Sequence, residues 1–225
     1  MPVSTLRVGG WSVRFTDRVD GDFGPSSVGV AERRTAIVGT MPVAWLRQVH
    51  GASVVIVRSP DEVDRFTGTE ADAAITVSSG VALSVVTADC APIAIVAGQV
   101  GAVVHAGWHG LLGGVIEAAV AAVRELADPD LSPQAILGPC IHPRSYEFGA
   151  DHLSRVAARY GDEVRGRTAD GRPALDLPRA IEAALSAVHV PVLLTCNTDT
   201  SSPSYFSHRT RADPERQAMF LWRDR

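Results

Sequence analysis

One cysteine and one histidine are brought to the same end of a short apolar hairpin. Residues 92–97 and 100–105 are two apolar runs separated by Gly98-Gln99, a Gly-X pair suited to a two-residue type II′ turn. Counting outward from that turn, Ala97 faces Val100, Pro92 faces His105, and Cys90 faces Gly107. Cys90 and His105 are then diagonal cross-strand neighbours, about 7–8 Å apart and on one face. Thiolate and imidazole both bind zinc, at about 2.0–2.3 Å, so one ion can bridge the pair. A third ligand must come from elsewhere. His50, at a predicted strand end between Val49 and Gly51, is the best candidate. A His, Cys, His set with one open position is what separates a catalytic zinc from a closed structural one. Taken singly, each of these residues also fits a satisfied core histidine or an inert buried thiol. No close-spaced ligand pattern such as Cys-X-X-Cys or His-Glu-X-X-His is present.

Other residues near the hairpin have chemistry to offer. Gly107 and Gly110 precede a helix predicted to begin near Leu111, and exposed amides at such a start suit an anion such as phosphate; tight packing explains the glycines equally well. His109, between them, is a charge or proton donor there, or simply solvated. Asp72 and Asp89 stand at strand ends, where a carboxylate orients a ligand histidine, moves a proton, or merely forms a turn. Tyr-Phe-Ser-His-Arg (205–209) combines an aromatic face with a cation, suited to stacking a base and holding a phosphate or sugar; an amphipathic strand is the competing reading.

The elements that must position these groups follow from periodicity. Residues 6–16 read as a hairpin or bent strand interrupted by Gly9-Gly10, and 17–25 as a polar loop. A short helix is predicted over 27–38, capped by Ser26 or Ser27, with Val30, Ala31 and Ile37 inward. Strands are predicted over 44–49 and 53–57, a surface loop over 59–70, and strands over 71–77 and 81–87. Residues 111–126 place Leu111, Leu112, Val115, Ile116, Ala119, Val120, Val123 and Leu126 on one face of a single helix. A strand at 135–137, a helix at 152–160, a charged loop at 161–173, a helix at 179–188, a strand at 190–195 and a final apolar strand or helix at 218–222 complete the chain. Strands and helices alternate only in the second half, so an α+β (mixed α/β) fold of layered mixed sheets flanked by helices fits better than a regular doubly wound sheet.

Bulk properties narrow the function. A chain of 225 residues buries a sizeable core and is expected to form one domain, 1–225. Its net charge of −4 and lack of a basic stripe disfavour nucleic acid. No apolar run reaches the roughly 18 residues of a membrane span, and the first residues lack signal-peptide features, so a cytoplasmic protein without membrane partners is expected. Three cysteines, Cys90, Cys140 and Cys196, argue for reduced thiols rather than a disulfide framework.

Several motifs in order carry a resemblance: Gln-Val-His-Gly (48–51), Ala-Asp-Ala (71–73), Thr-Ala-Asp-Cys-Ala-Pro-Ile (87–93), His-Ala-Gly-Trp-His-Gly (105–110), Leu-Gly-Pro-Cys-Ile (137–141), Tyr-Glu-Phe-Gly (146–149) and Tyr-Phe-Ser-His-Arg (205–209). Together they resemble the YfiH/YlmD family, also called the laccase-domain, polyphenol oxidase or peptidoglycan editing factor family. The resemblance implies a YfiH-like layered fold with duplicated character and a cytosolic, zinc-dependent purine nucleoside phosphorylase. It implies phosphorolysis of adenosine, inosine, guanosine and methylthioadenosine, with adenosine deamination besides. It also places zinc on His50, Cys90 and His105. For that chemistry Cys90, His105 and Asp89 are the expected catalytic groups, and Arg47, Gly107, His109, Gly110 and Arg209 the expected substrate or phosphate contacts. Partners are purine nucleosides and phosphate, and the chain is expected to be a monomer or small homo-oligomer. Two departures stand out. The family pattern has Arg where this chain has His109, and Asp-Gly-Asp-Phe-Gly (20–24) replaces a family motif reading Ser-Leu-Asn-Leu, so contacts from that segment do not carry over.

Competing chemistries are open at this level. A multicopper oxidase needs a blue site and a three-copper cluster, for which seven histidines with no His-X-His pair are too few and too scattered. A single copper remains compatible with a nitrogen and sulfur site, since Cu(II) binds there more tightly than Zn(II). A cysteine hydrolase with Cys90 as nucleophile and His105 as base, acting on peptidoglycan precursors, is a second class, and a non-enzymatic nucleoside- or partner-binding module a third. For deamination, the zinc deaminase signature is missing: Pro-Cys-Ile-His (139–142) is not Pro-Cys-X-X-Cys.

Overall fold

The computed structural model describes residues 5–223. Its strands are β1 (Leu6–Val8), β2 (Trp11–Phe15), β3 (Val43–Trp45), β4 (Val54–Val57), β5 (Ala73–Thr76), β6 (Ala82–Thr87), β7 (Ala91–Ala97), β8 (Val100–Ala106), β9 (Gln134–Leu137), β10 (Arg165–Arg167), β11 (Pro173–Leu175), β12 (Val192–Thr195) and β13 (Gln217–Arg223). The α-helices are α1 (Val30–Val38), α2 (Val63–Phe66), α3 (Trp108–Gly113), α4 (Val115–Leu126), α5 (Ala150–Tyr160), α6 (Leu177–Ala187) and α7 (His208–Arg211).

Two mixed sheets dominate, a five-stranded one in the order β1-β2-β13-β6-β3 and a six-stranded one in the order β12-β9-β7-β8-β5-β4. Strand alternation assigns each face. On β7, Ile93 and Ile95 point to one core and Ala94 and Val96 to another; on β13, Met219 and Leu221 share the second core while Phe220 and Trp222 enter a third. The middle core lies between the sheets. The first is capped by α3 to α6 and the third by α1, so the layers run helix, sheet, sheet, helices. This is the expected α+β layering.

Two aromatic residues of β2 fix the distance between the sheets. A Cβ on Gly101 of β8 would come within 2.6 Å of the Trp11 ring, and one on Gly138 within 2.2 Å of the Phe15 ring. Glycine lets each ring lie against the opposing backbone, and the Trp11 Nε1 donates to the Gly98 carbonyl at 3.0 Å.

The hairpin register is as the turn count predicts, with Ala97 opposite Val100 and Pro92 opposite His105. Other expectations need correction. The helix predicted over 111–126 is two helices, because Gly114 adopts φ 84° and turns the chain between α3 and α4. The α1 N-cap is Gly29 rather than Ser26 or Ser27, and Val38 and Ile37 point inward while Ala31 is exposed. The strand predicted at 44–49 stops at Trp45, the loop at 59–70 contains α2, and the loop at 161–173 includes β10, which pairs with β11. The strands at 71–77 and 81–87 both form, though consecutive, in different sheets: β5 belongs to the six-stranded sheet and β6 to the five-stranded one. No helix among the described residues is long and apolar enough to cross a membrane.

Candidate metal centre

The chain passes from one sheet to the other along three connections that line the same pocket. The β3–β4 connection carries Arg47, Gln48, Val49 and His50, the β6–β7 connection carries Ala88, Asp89 and Cys90, and the β12–β13 connection carries His208, Arg209 and Arg216. His105, at the end of β8, and Trp108 and His109, in the first turn of α3, complete a cavity of about 710 Å³. That lies within the roughly 300–1,000 Å³ typical of small-molecule sites.

His50, Cys90 and His105 meet at the pocket floor, with one ligating atom from each lying within 4.8 Å of the others. Cys90 Sγ is 3.8 Å from His50 Nε2. Ligands on a tetrahedral zinc stand on the order of 3.5 Å apart, so the three atoms need close by no more than about 1.3 Å to share an ion. The space is kept by Gly107, where a Cβ would come 2.9 Å from Cys90 Sγ and 3.0 Å from His50 Cδ2. Two nitrogens and one sulfur converging beside a glycine fit a metal ion, and the pocket leaves room for a further ligand.

Asp72 holds two of these residues from behind. It has no exposed surface, and its Oδ1 lies 2.8 Å from His105 Nδ1. The same carboxylate accepts the backbone N–H groups of Val49 at 3.2 Å, His50 at 2.9 Å and Gly51 at 2.7 Å. His50 occupies the left-handed region at φ 58°, a conformation uncommon for a non-glycine residue. With Nδ1 of His105 donating to a carboxylate, Nε2 is the ring nitrogen left to face Cys90.

Electrostatics couple Cys90 and His105. Burial pushes the Cys90 thiol up, but the charge and hydrogen bond of His105, with help from His50, outweigh it and bring the thiol down to about 6. Burial likewise disfavours charged His105, while the Cys90 thiolate and the Asp72 carboxylate raise it to about 9. Each member of the pair thus favours the charged form of the other. Cys140 differs: burial first, then nearby Asp199 and the other cysteines, keep its thiol protonated.

The remaining expected site residues are placed as follows. Asp89 adopts φ 103°, and its carboxylate accepts from Ser207 Oγ at 2.6 Å, Thr200 Oγ1 at 3.1 Å and the Arg209 N–H at 2.6 Å. It ties the β12–β13 connection to the residue before Cys90. Arg209 stacks its guanidinium 4.6 Å from the Tyr146 ring centroid and donates to the Glu147 carbonyl. Arg47 is exposed and paired with Glu70. His109 stacks on Trp108 with centroids 3.6 Å apart. Burial, then the charges of His50, His152 and Arg155, hold its imidazole below its ordinary value of 6.5 and so favour its neutral form. Gly107 is the α3 N-cap, whereas Gly110 lies inside α3, where a Cβ would meet the Gly51 carbonyl at 3.2 Å. Tyr205 and Phe206 are buried and precede α7, in place of the amphipathic strand.

Several contributors besides Trp108 were given no site role by the sequence. Gln48 donates Nε2 to the Val86 carbonyl at 2.7 Å and accepts the Val86 N–H at 2.8 Å, pinning the β3–β4 connection against β6 in the manner of a strand. Tyr146 and Arg216 line the pocket. Gln48 and Tyr146 stood within recognised motifs, but only their side-chain directions reveal these placements.

A two-sheet α+β fold with a His, Cys, His cluster in a pocket between its crossovers defines the class. The chain belongs to the family described as multi-copper polyphenol oxidoreductase laccase, which matches residues 3–224. It is 36% identical to a purine nucleoside phosphorylase of Xylella fastidiosa strain Temecula1, over 99% of this chain and 92% of that protein. It is 31% identical to the purine nucleoside phosphorylase YfiH of Shigella flexneri, over 97% and 92% respectively. Protein NMB0706 of Neisseria meningitidis superposes with a TM-score of 0.85 at 26% identity over the whole of both chains. YlmD of Geobacillus stearothermophilus shares the fold, with a TM-score of 0.83 at 24% identity over 96% of this chain and 93% of that one. The YfiH/YlmD resemblance of the motifs thus agrees with the whole-chain comparisons.

Proposed function

We propose that the chain is a zinc-dependent purine nucleoside phosphorylase, cleaving adenosine, inosine, guanosine or methylthioadenosine with phosphate. The observation that carries this reading is the pairing, in one cavity, of the nitrogen and sulfur trio with two guanidinium groups, Arg209 and Arg216. Among the described residues neither pairs with a carboxylate; Arg209 donates to the Glu147 carbonyl, and Arg216 Nη1 to the carbonyls of residues 213–215. Relatives named purine nucleoside phosphorylase support the same reaction.

In this reading Arg209 and Arg216 hold phosphate and orient one of its oxygens toward C1′ of the sugar. That oxygen bonds to C1′ as the C1′–N9 bond breaks, and the electron pair leaves with the purine. Trp108 and Tyr146 offer aromatic surface to the base, and His109, whose neutral form is favoured, serves it by hydrogen bonding rather than by neutralising phosphate. A zinc ion held by His50, Cys90 and His105 supplies Lewis acidity at the pocket floor.

Purified protein of known zinc content, incubated with adenosine and phosphate, is expected to yield adenine and ribose 1-phosphate; inosine formation reports deamination in the same assay. Absence of product from every purine nucleoside in fully zinc-loaded protein refutes the proposal. A multicopper oxidase reading is disfavoured because the described residues contain one cluster of three potential ligands, too few for a blue site plus a three-copper cluster. A cysteine hydrolase draws on the Asp72, His105 and Cys90 alignment, which has the form of a nucleophile, base and orienting carboxylate. Zinc bound through Cys90 excludes it, since the thiolate is then occupied.

A further inference from the structure

The geometry points to Asp72 as the positioning residue that assembles the metal centre, with one carboxylate fixing two of the three ligands at once. This rests on the reading of His50, Cys90 and His105 as a metal site and names what builds it.

The sheet order explains how one residue reaches both ligands. β5 lies between β8 and β4 in the six-stranded sheet. Asp72 immediately precedes β5, so it faces the end of β8 on one side and the start of β4 on the other. Its main chain is fixed in both directions: its carbonyl accepts the His105 N–H at 2.8 Å, and its own N–H donates to the Ser53 carbonyl at 3.1 Å. The side chain extends both links to the ligands. Oδ1 serves His105 Nδ1 and the His50 N–H, and Oδ2 serves the N–H groups of Gly51 and Val49.

All four partners are donors, and that makes the residue type decisive. A carboxylate offers acceptors on both oxygens, whereas the amide of asparagine offers one acceptor and one donor. If the amide NH₂ of an Asp72→Asn side chain faces Gly51 and Val49, the turn holding His50 at φ 58° loses two of its three N–H acceptor contacts, keeping that of His50 itself. If the NH₂ faces His105, Nδ1 must become the acceptor and the ring proton moves to Nε2, the nitrogen needed by the metal. Neither orientation keeps both ligands in place. Such orienting partners typically contribute about 10- to 100-fold to metal affinity.

The test uses the full chain, stripped with a chelator and titrated with Zn²⁺ in competition with a chromophoric chelator. Wild type is expected to bind one equivalent and Asp72→Asn to bind about 10- to 100-fold more weakly. In parallel, ¹⁵N-histidine spectra of zinc-loaded wild type are expected to show His105 protonated at Nδ1 and metallated at Nε2, with slow exchange of the His50 and Gly51 amides. If wild type takes up no zinc, the metal reading itself falls. If wild type binds and Asp72→Asn binds as tightly, the Asp72 role alone is overturned. Should the variant fail to fold, the wild-type spectra decide: a His105 metallated at Nδ1, or fast-exchanging His50 and Gly51 amides, overturns the inference.

Discussion

Gly107 stands opposite Cys90 so closely that a single added carbon would lie 2.9 Å from the Sγ atom. The cysteine thus keeps its place at the pocket floor only because its cross-strand neighbour has no side chain. Gly107→Ala leaves the backbone unstrained, since φ there is −90°. It is expected to displace Cys90 and His50 and to cut zinc occupancy while the protein stays folded. Metal analysis alongside circular dichroism checks this; full zinc occupancy in the variant counts against the centre.

Metal occupancy should govern thiol chemistry. Native, metal-free protein treated with iodoacetamide is expected to be modified at Cys90, and zinc-loaded protein to be protected there. Cys140, buried and with its thiol pushed up, stays unmodified in both. Peptide mass mapping reads the result. Equal labelling of Cys90 with and without zinc favours the hydrolase reading instead.

Phosphate handling separates two arginines of the pocket. Arg209→Ala removes a guanidinium that has no carboxylate partner among the described residues, and is expected to raise the phosphate KM by roughly 10- to 100-fold, the worth of a charged hydrogen bond. Arg47→Ala should have a smaller effect, because Glu70 already neutralises that side chain. Steady-state kinetics at varied phosphate distinguish the two, and an unchanged KM in Arg209→Ala removes that residue from phosphate binding.

The contact between the sheets predicts a change in stability without a change in chemistry. Gly101→Ala would bring a methyl group within 2.6 Å of Trp11 and is expected to cost about 1–3 kcal/mol through overpacking. The urea midpoint should fall while zinc affinity holds. A variant as stable as wild type would show that the interface yields more readily than its packing implies.

Acid stability depends in part on Asp22. Burial works against its ionised form, but hydrogen bonds from the N–H groups of Gly24 and Arg216 outweigh it and hold the carboxyl below its ordinary value of 3.8. A folded-state value below the unfolded one contributes stability that is present above about pH 4 and is lost as pH falls through the folded value. Asp22→Asn should therefore flatten the acid limb of a plot of urea midpoint against pH. An unchanged limb assigns acid unfolding to other carboxylates.

The parts of this fold legible in the sequence are those fixed by local counting. The two-residue turn at Gly98-Gln99 set the β7–β8 register, and with it the placement of Cys90 and His105. The apolar period of residues 111–126 gave the buried face but ran straight through Gly114, since periodicity does not register a left-handed residue. The parting of β5 from β6 was invisible because both strands are apolar on each face. That His50 joins the site rests on motif resemblance as much as on its place at a strand end. The reach of Asp72 to both ligands depends on sheet order, which no local pattern encodes.

His50 and Cys90 both ride on segments that leave one sheet and enter the other. The ligands themselves gather at one edge of the six-stranded sheet, through the β7–β8 hairpin and the β8-β5-β4 order, and the docking of Trp11 and Phe15 brings the other layer against a trio that this sheet has already assembled. Capture of the ion is thus coupled to the formation of the six-stranded sheet rather than to the closing of the two layers, and the second sheet supplies the pocket wall instead of the ligand geometry.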